Sequence, residues 1–553
     1  MLSVARRLIV LALLLVGGIA AAFLSGPSHA ATTPTTAGTT TTVATLTPVS
    51  TPTFTARTVL VLDGHGYGHG LGMSQWGAYG YAKHGWTYDK ILTHYFVGTT
   101  IGTTTVSTIR VLLAEETKAT LAATAPWTIT DAAHNVVTLD SASPVTLDST
   151  LTVNGQALTA PLTIRSTQPL SLDGKKYRGR FTVAVAGTQL EVIDVVGLEA
   201  YLKGVVPSEM PANWAPEAVK AQAVASRSYA LANMTKKQPF DVYADGRSQV
   251  YGGVAAESPL SNAAVDATNH QVVLYAGKPA DTMFFSSSGG RTASSLETTG
   301  VAVPYLQSVV DQYDTLSPYH SWGPVLFDLA KVAKALKLAS PIVGLQITPG
   351  TSPRAKKVTA TLQNGTTASF TGNTLRADLN LRSTWFTPEL LALTPPKALP
   401  FGTGGTLAGF ARGVTDPITL ESKAPGGVWT AVEQVTPAAD GSFTTTVEPS
   451  VTTQYRLTVG SLHLAYAKVG VAPLLSVDQS TGDLTGAVEP ALESAPVVLQ
   501  QQVGTLWQTV SSTATDANGA WSFGGDLAPG TYRIRCTPGR GYVAAVSPSL
   551  TVQ

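Results

Sequence analysis

The order of hydrophobic and polar positions divides the chain into helical and strand-forming regions. Residues 88–95 carry their apolar side chains on one face of a helix, and residues 74–83 are also predicted to be helical. A third helix, rich in alanine, is predicted after Pro216, which suits a first helical turn. Residues 57–63 and 109–196 instead show short apolar runs separated by turn residues, which is typical of antiparallel strands. The pattern predicts a mixed α+β protein.

The C-terminal part of the chain carries one pattern twice. Gly441 follows Trp429 at the same spacing at which Gly519 follows Trp507. This repetition predicts two small, immunoglobulin-like β-sandwich modules after a linker rich in Pro and Gly. Neither module has a cluster of acid–base residues, so we expect them to bind or to space. The predicted boundaries are 394–405 for the linker, 406–470 for the first module and 471–553 for the second.

Composition limits the classes of function. The 553 residues suggest several domains, and the net charge of +1 gives no electrostatic reason to expect nucleic acid as a partner. Residues 1–30 have two arginines, an apolar run and small residues at the end, which predicts a secretory signal peptide. A retained N-terminal anchor is the alternative. Residues 31–56, rich in Thr and Pro, are predicted to be a disordered linker. We therefore expect a secreted, extracellular protein with no membrane span after signal cleavage.

Cys536 is the only cysteine in the chain. An intramolecular disulfide and a zinc site with two or more thiolates are therefore excluded. Cys536 also lies in the repeated β region, far from the other motifs, so we do not expect it to be a nucleophile.

Glu209 is the strongest candidate for chemistry. It follows a run, residues 204–207, that looks strand-like and apolar, and it precedes Met210 and Pro211. Apolar surroundings disfavour an ionised carboxylate and raise its pKa toward the range useful for a general acid. The alternative is a glutamate that only caps the next helix.

The glycine-rich stretch from Gly64 contains His65 and His69 and admits three interpretations. A metal pair is disfavoured because glycines separate the histidines and no third ligand is evident, so no metal is predicted. A phosphate loop is disfavoured because no Lys-Ser/Thr pair follows. The favoured interpretation is a cleft wall in which His69, Ser74 and Gln75 offer hydrogen bonds to a bulky polar ligand.

Three other features admit both a functional and a structural interpretation. Residues 286–290 (SSSGG) lack the G-x-S-x-G elbow, so we expect a turn that presents hydroxyls to a ligand rather than a nucleophile. Arg227 is either the partner of a buried carboxylate or a surface residue. Gln249 and Tyr251 either contact a sugar or pack in an ordinary loop.

Several of these segments together resemble the SpoIID/LytB family, the stage II sporulation protein D type. The strongest is GLEAYLKGVVPSEMPANWAPEAVKAQAVASRSYA, and SQVYGG, SSSGGRT, NTLRADLNLRSTWF and GHGYGHGLGMSQ also match. The resemblance covers residues 57–393 and implies a SpoIID-like catalytic domain with an antiparallel β subdomain. Most members carry the GHG block last, whereas here it comes first, so we expect a circularly permuted order. Some members bind zinc through Cys and His before QVYGG. Residues 241–248 have neither, so no metal and no cofactor are expected.

The resemblance implies a lytic transglycosylase that acts on peptidoglycan glycan strands, with Glu209 as the single general acid and base. Other members are amidase enhancers, so the alternative is a non-catalytic wall-binding protein that activates an N-acetylmuramoyl-L-alanine amidase. A third possibility is an adhesion or scaffold protein built on the β modules. The resemblance and the residue patterns together assign substrate binding to the following residues: Lys203, Ser208, Arg227, His69, Ser74, Gln75, Gln249, Tyr251 and Ser287.

Overall fold

A computed structural model describes residues 58–552 except 142, 236–237, 480–482 and 526. The predicted signal peptide (1–30) and linker (31–56) lie outside the described residues. The fold is mixed α+β with many β-sheets, and no helix in the described part of the chain is both long and apolar enough to cross a lipid bilayer. The helices are α1 (Gln75–Lys83), α2 (Tyr88–Tyr95), α3 (Leu198–Glu209), α4 (Pro216–Ala232), α5 (Pro259–Ala267), α6 (Ser295–Thr299), α7 (Leu329–Ala335) and α8 (Gly372–Asp378).

The strands fall into four stretches of the chain. The first has β1 (Val59–His65), β2 (Met73–Ser74) and β3 (Thr100–Thr103). The second has β4 (Thr108–Glu116), β5 (Lys118–Ala123), β6 (Trp127–Thr130), β7 (Val136–Leu139), β8 (Val145–Asp148), β9 (Thr152–Val153), β10 (Gln156–Ala157), β11 (Leu162–Ser166), β12 (Leu170–Leu172), β13 (Lys175–Tyr177), β14 (Arg180–Ala186) and β15 (Gln189–Gly197). The third has β16 (Val242–Tyr243), β17 (Gln271–Tyr275), β18 (Lys278–Pro279), β19 (Phe284–Phe285), β20 (Ser321–Asp328), β21 (Ile342–Pro349), β22 (Ala355–Leu362), β23 (Thr367–Thr371) and β24 (Trp385–Thr394). The fourth has β25 (Leu399–Pro400), β26 (Gly405–Arg412), β27 (Ile418–Lys423), β28 (Thr430–Val435), β29 (Ser442–Val447), β30 (Thr453–Val459), β31 (Leu462–Val469), β32 (Val471–Ala472), β33 (Leu474–Asp478), β34 (Leu484–Glu489), β35 (Pro496–Val503), β36 (Leu506–Ala514), β37 (Ala520–Phe523), β38 (Gly530–Cys536), β39 (Ala545–Val546) and β40 (Leu550–Val552).

The predicted antiparallel β subdomain is confirmed. One sheet runs in the order β16-β4-β15-β14-β11-β6-β7 and another in the order β13-β12-β5-β8, and within them only the β16–β4 pair is parallel among the described strands. Trp127 and Phe181 lie in the core of this subdomain, and Val205 and Val206 of α3 join the same core. The end of α3 is therefore fixed against the β subdomain.

The alanine-rich helix α4 is central, as predicted. Its small residues Ala221 and Ala225 pack in one buried cluster with Tyr95 and Phe96. Close approach in this layer also requires a glycine in α1, because a Cβ atom at Gly77 would lie 2.1 Å from the Tyr95 hydroxyl. Small side chains therefore let α1, α2 and α4 pack at short distance.

The first described strand lies beside the last strand of the region that resembles the SpoIID/LytB family. β1 pairs antiparallel with β24 on one edge and with β20 on the other. The residues just before β24 also hold the start of the glycine-rich loop. Gly68 N donates to Arg382 O at 2.9 Å, and Ser383 Oγ donates to His65 O at 2.5 Å. Such neighbouring ends are what a permuted order of blocks requires; the permutation itself stays a prediction.

The strand β24 also belongs to the first sandwich. It pairs with β26, so that one sheet runs β20-β1-β24-β26-β29. In the second sandwich the corresponding sheet is β33-β34-β37, and β24 takes the position of β33. The predicted linker, 394–405, contains β25, which pairs with β32. The first sandwich therefore shares a strand with the preceding domain.

The two predicted modules share one arrangement of side chains. The Arg456 guanidinium lies over the Trp429 ring at 4.2 Å from the centroid, and Arg533 lies over Trp507 at 4.2 Å. Each arginine is held by a residue of the neighbouring strand, Glu421 in the first sandwich and Gln500 in the second. Equivalent stacks at equivalent positions support two copies of one module.

We predict that chains truncated after residue 395 and after residue 472 differ in thermal stability. A chain that ends at residue 395 retains β24 but exposes Val61, Leu391 and Leu393, which the first sandwich covers. A chain that ends at residue 472 keeps that cover. We expect the shorter chain to aggregate or to melt at clearly lower temperature, and the longer one to stay close to the full chain in thermal unfolding of the first domain. Equal stability of the two truncated chains would contradict the shared core.

Candidate active site

Glu209 is the last residue of α3. The stretch 204–207, which looked strand-like in the sequence, is helical, so this prediction was wrong. Its valines pack into the apolar core of the β subdomain, and this packing overrides their preference for strands. The helix ends because Met210 precedes Pro211 and is extended, with φ −137° and ψ 137°.

The Glu209 carboxyl is partly buried at the meeting point of three chain segments. Its Oε1 accepts a hydrogen bond from Val250 N at 3.1 Å, and its backbone oxygen accepts one from Gln75 Nε2 at 2.8 Å. Gln75 also reaches Gln222 Oε1 of α4 at 3.3 Å. Burial raises the pKa of Glu209, and the Val250 amide lowers it by less. The carboxyl is thus biased toward its protonated form.

The alternative interpretation, that Glu209 caps the next helix, has no supporting hydrogen bond in the described part of the chain. The next helix, α4, begins after Ala215, and its N-terminus has no side-chain cap. Glu217 supplies the acidic residue of its first turn instead.

The glycine-rich loop is packed against residues 283–289. Gly66, Gly68, Gly70 and Gly72 all have positive φ. A Cβ atom at Gly72 would lie 2.1 Å from Met283 O, so no larger residue fits there. The loop is therefore a tightly packed wall of the domain, and it delivers Gln75 to Glu209.

His69 does not present a ring nitrogen to a ligand. Its Nε2 donates to Phe284 O at 3.0 Å, and its Nδ1 accepts from Leu71 N at 3.0 Å. Burial lowers the pKa of His69 to about 4, so the ring is neutral at physiological pH. No group of three His, Cys, Asp or Glu side chains among the described residues is arranged to hold a metal ion.

Ser74 and Ser287, expected to contact substrate, are fully buried and bind Asp314 instead. Ser74 Oγ donates to Asp314 Oδ1 at 3.0 Å, and Ser287 Oγ donates to Oδ2 at 2.9 Å. The amides of Ser288 and Gly289 donate to the same carboxylate, each at 2.9 Å. Asp314 therefore joins the glycine-rich loop to the SSSGG turn, and neither hydroxyl is available to a substrate.

Arg227, Gln249 and Tyr251, also predicted to bind substrate, are buried and bind other protein groups. Arg227 is fully buried; it binds the Glu199 carboxylate at 2.5 Å and donates to Gln271 O at 2.9 Å. The Gln249 side-chain oxygen accepts from a tyrosine hydroxyl at 3.3 Å, and Tyr251 donates to Asp194 at 3.1 Å. The ion-pair interpretation of Arg227 and the packing interpretation of the other two fit these contacts.

Lys203 and Ser208 lie on α3 near Glu209 but differ in direction. Lys203 Nζ lies 2.9 Å from Asp266 Oδ1 of α5, and Lys203 is on a different face of α3 from Glu209. Ser208 is exposed and donates to Gly204 O at 3.1 Å. Of the residues assigned to substrate binding, Gln75 and Ser208 lie closest to the candidate acid.

The structure adds residues that the sequence did not single out. Asp314 ends VPYLQSVVDQYD, another segment that resembles the family, and Gln222 lies on α4. Nothing in the sequence pattern distinguishes these two residues from surface residues. Trp214, five residues after Glu209, and Trp76, next to Gln75, contact each other with ring centroids 4.6 Å apart. Aromatic residues flanking a candidate acid are a signal that would have found these two.

Comparisons with known proteins point the same way. A family model described as "Stage II sporulation protein" matches residues 186–275, which include α3 and α4. The chain is 39% identical over 142 residues to an uncharacterised protein of Brachyspira hyodysenteriae, covering 25% of this chain and 39% of that one. It is 36% identical over 174 residues to the amidase enhancer of Bacillus subtilis, covering 31% and 24%. It is 30% identical over 253 residues to stage II sporulation protein D of Bacillus subtilis, covering 42% and 72%. The chain thus spans well under half of the first two relatives.

Replacement of Arg227 tests its structural role. We predict that Arg227→Ala destabilises the protein by about 3 kcal/mol, because it removes a fully buried guanidinium and leaves the partly exposed Glu199 carboxylate with only the His270 amide as a donor. The double variant Arg227→Met with Glu199→Gln should recover much of this loss in chemical denaturation. A single Arg227→Ala variant that unfolds like the wild type would contradict the buried pair.

A second prediction concerns the pH dependence of stability. Below the ordinary glutamate pKa of about 4.3, Glu209 is neutral in both folded and unfolded chains. Above it, the unfolded chain ionises first, so the raised pKa of Glu209 costs stability as pH rises through the folded pKa. Glu209→Gln should therefore melt higher than the wild type at pH 7 and alike near pH 4. A difference that is absent at pH 7 would contradict the burial of this carboxyl.

Proposed function

The chain belongs to the SpoIID/LytB family, and we propose that it is a peptidoglycan lytic transglycosylase with Glu209 as general acid and base. The observation that carries the proposal is the state of the Glu209 carboxyl. Burial raises its pKa, and among the described residues only the Val250 amide donates a hydrogen bond to it. A carboxyl whose raised pKa favours the protonated form, and which keeps one oxygen free of protein donors among the described residues, suits a general acid.

In the proposed reaction Glu209 transfers its proton to the glycosidic oxygen while the bond from that oxygen to C1 of the muramic acid ring breaks. The resulting Glu209 carboxylate accepts the proton of the 6-hydroxyl group of the same sugar. The 6-oxygen then bonds to C1, which closes a 1,6-anhydro ring and returns Glu209 to its acid form. No water is consumed, and the nucleophile is positioned within the substrate itself.

The mechanism needs one carboxylate, whereas glycoside hydrolases normally use two. No neighbouring carboxylate in the described part of the chain contributes to the raised pKa of Glu209, and no ion pair involves it. This solitary position supports an intramolecular nucleophile over an activated water. Under the same proposal the protein acts outside the cytoplasm, where the substrate lies and where the signal predicted at residues 1–30 would direct it.

The alternative function is a wall-binding protein that enhances an N-acetylmuramoyl-L-alanine amidase. It is favoured by the name of one relative, the amidase enhancer. The two functions differ in whether Glu209 is needed.

The test measures 1,6-anhydromuramyl ends by mass spectrometry after incubation of the full chain with glycan strands freed of their peptides. We expect the wild type to form these ends and Glu209→Gln to lose at least about 100-fold in rate, since the variant has no proton to transfer. Glu389→Gln is the matched control. Glu389 is also a partly buried glutamate whose pKa is raised by burial, but it lies on β24 beside Asp63 and Asp416.

The control should retain wild-type activity. If neither wild type nor Glu209→Gln forms anhydro ends and both stimulate a wall amidase equally, the catalytic proposal fails and the alternative stands.

A further inference from the structure

Three partly buried aromatic side chains form a cluster on the two segments that adjoin Glu209, namely α1 with Gln75 and the connection from Glu209 to α4. The ring centroids of Tyr79 and Trp214 are 4.6 Å apart at an interplanar angle of 29°, so these rings stack. The Trp76 centroid lies 4.6 Å from that of Trp214 and 6.0 Å from that of Tyr79. We call Trp76, Tyr79 and Trp214 the aromatic triad.

Two segments connect the triad with Glu209. On α1, Gln75 contacts the Glu209 backbone, and Tyr79 lies one turn further along the same face, a rise of about 5.4 Å. Trp214 comes from the short connection between Glu209 and α4. The cluster therefore belongs to the two segments that meet at Glu209.

The indole N–H groups of Trp76 and Trp214 are not fully enclosed by protein. Among the described residues, neither Trp76 nor Trp214 has a hydrogen-bond partner for its N–H, and neither N–H is buried. The buried and unpaired indole N–H groups in the described part of the chain belong to Trp322 and Trp521. Two indole donors of the cluster are therefore available to a polar ligand.

We propose that the aromatic triad is a sugar-stacking subsite that binds an N-acetylhexosamine ring next to the bond cleaved by Glu209. The face of an aromatic ring is electron-rich and attracts the weakly positive C–H groups on the apolar face of a pyranose. The indole N–H groups donate to hydroxyl or acetamido oxygens at the edge of the same sugar. The inference rests on the proposed function, since it identifies the ligand as a segment of the same glycan.

Its test measures binding separately from cleavage. All variants carry Glu209→Gln, and the probe is the β-1,4-linked hexamer of N-acetylglucosamine, titrated calorimetrically into the full chain. We expect Trp214→Ala to weaken binding about tenfold or more and Trp214→Phe, which retains a stacking ring, to weaken it less. The α-1,4-linked glucose hexamer should not bind measurably.

The matched control is Trp86→Ala. Trp86 is also partly buried, and its ring centroid lies 4.5 Å from that of Tyr81. However, Tyr81 is on the face of α1 opposite to Gln75 and Tyr79. This variant should bind the hexamer like its parent. Thermal unfolding of every variant separates loss of binding from loss of fold, and Trp76→Ala provides an independent removal of one ring if Trp214→Ala is unstable.

The outcomes distinguish this inference from the proposed function. Folded Trp214→Ala and Trp76→Ala variants that bind the hexamer as tightly as their parent would overturn the subsite, even if the wild type forms anhydro ends. Conversely, binding that depends on Trp214, in a protein that forms no anhydro ends, would retain the subsite and refute the catalytic role of Glu209.

Discussion

The withdrawal of the Glu209 carboxyl from water is the constraint on which the site depends. A partly buried carboxylate is costly, and here it receives one backbone amide and no ion-pair partner in the described part of the chain. The fold accommodates this cost by fixing both the helix that carries Glu209 and the Glu209 backbone. Its helix is packed on the β subdomain, and its backbone oxygen is held by Gln75. A loosely held glutamate would turn toward water and regain its ordinary pKa.

That arrangement is built from segments far apart in the chain, and polar residues fully enclosed by protein hold them together. Asp314 collects hydrogen bonds from Ser74, Ser287 and two backbone amides, and so fixes the start of α1. A buried carboxylate that is fully hydrogen-bonded specifies one geometry, because any displacement leaves a donor or acceptor unpaired. The serines and His69 are therefore positioning elements whose effect reaches Glu209 through Gln75.

The contrast between what the sequence predicted well and poorly has a physical origin. Local patterns identified α1 and α2 closely: helices were predicted over residues 74–83 and 88–95, and the structure has Gln75–Lys83 and Tyr88–Tyr95. The burial of Glu209 was also predictable from its apolar neighbours. The roles of Ser74, His69 and Arg227 were not, because a polar residue that binds a ligand and one that binds a buried partner look alike in sequence. What separates them is a partner such as Asp314, which lies 240 positions from Ser74.

The shared strand β24 connects the sandwich modules to the site more directly than a flexible linker would. β24 pairs with β26 of the first sandwich and with β1, and β1 runs straight into the glycine-rich loop that ends at Gln75. A continuous sheet thus links the module to the residue that holds Glu209. Paired strands resist bending far more than a Gly- and Pro-rich linker does, so the first sandwich has a fixed orientation relative to the acid.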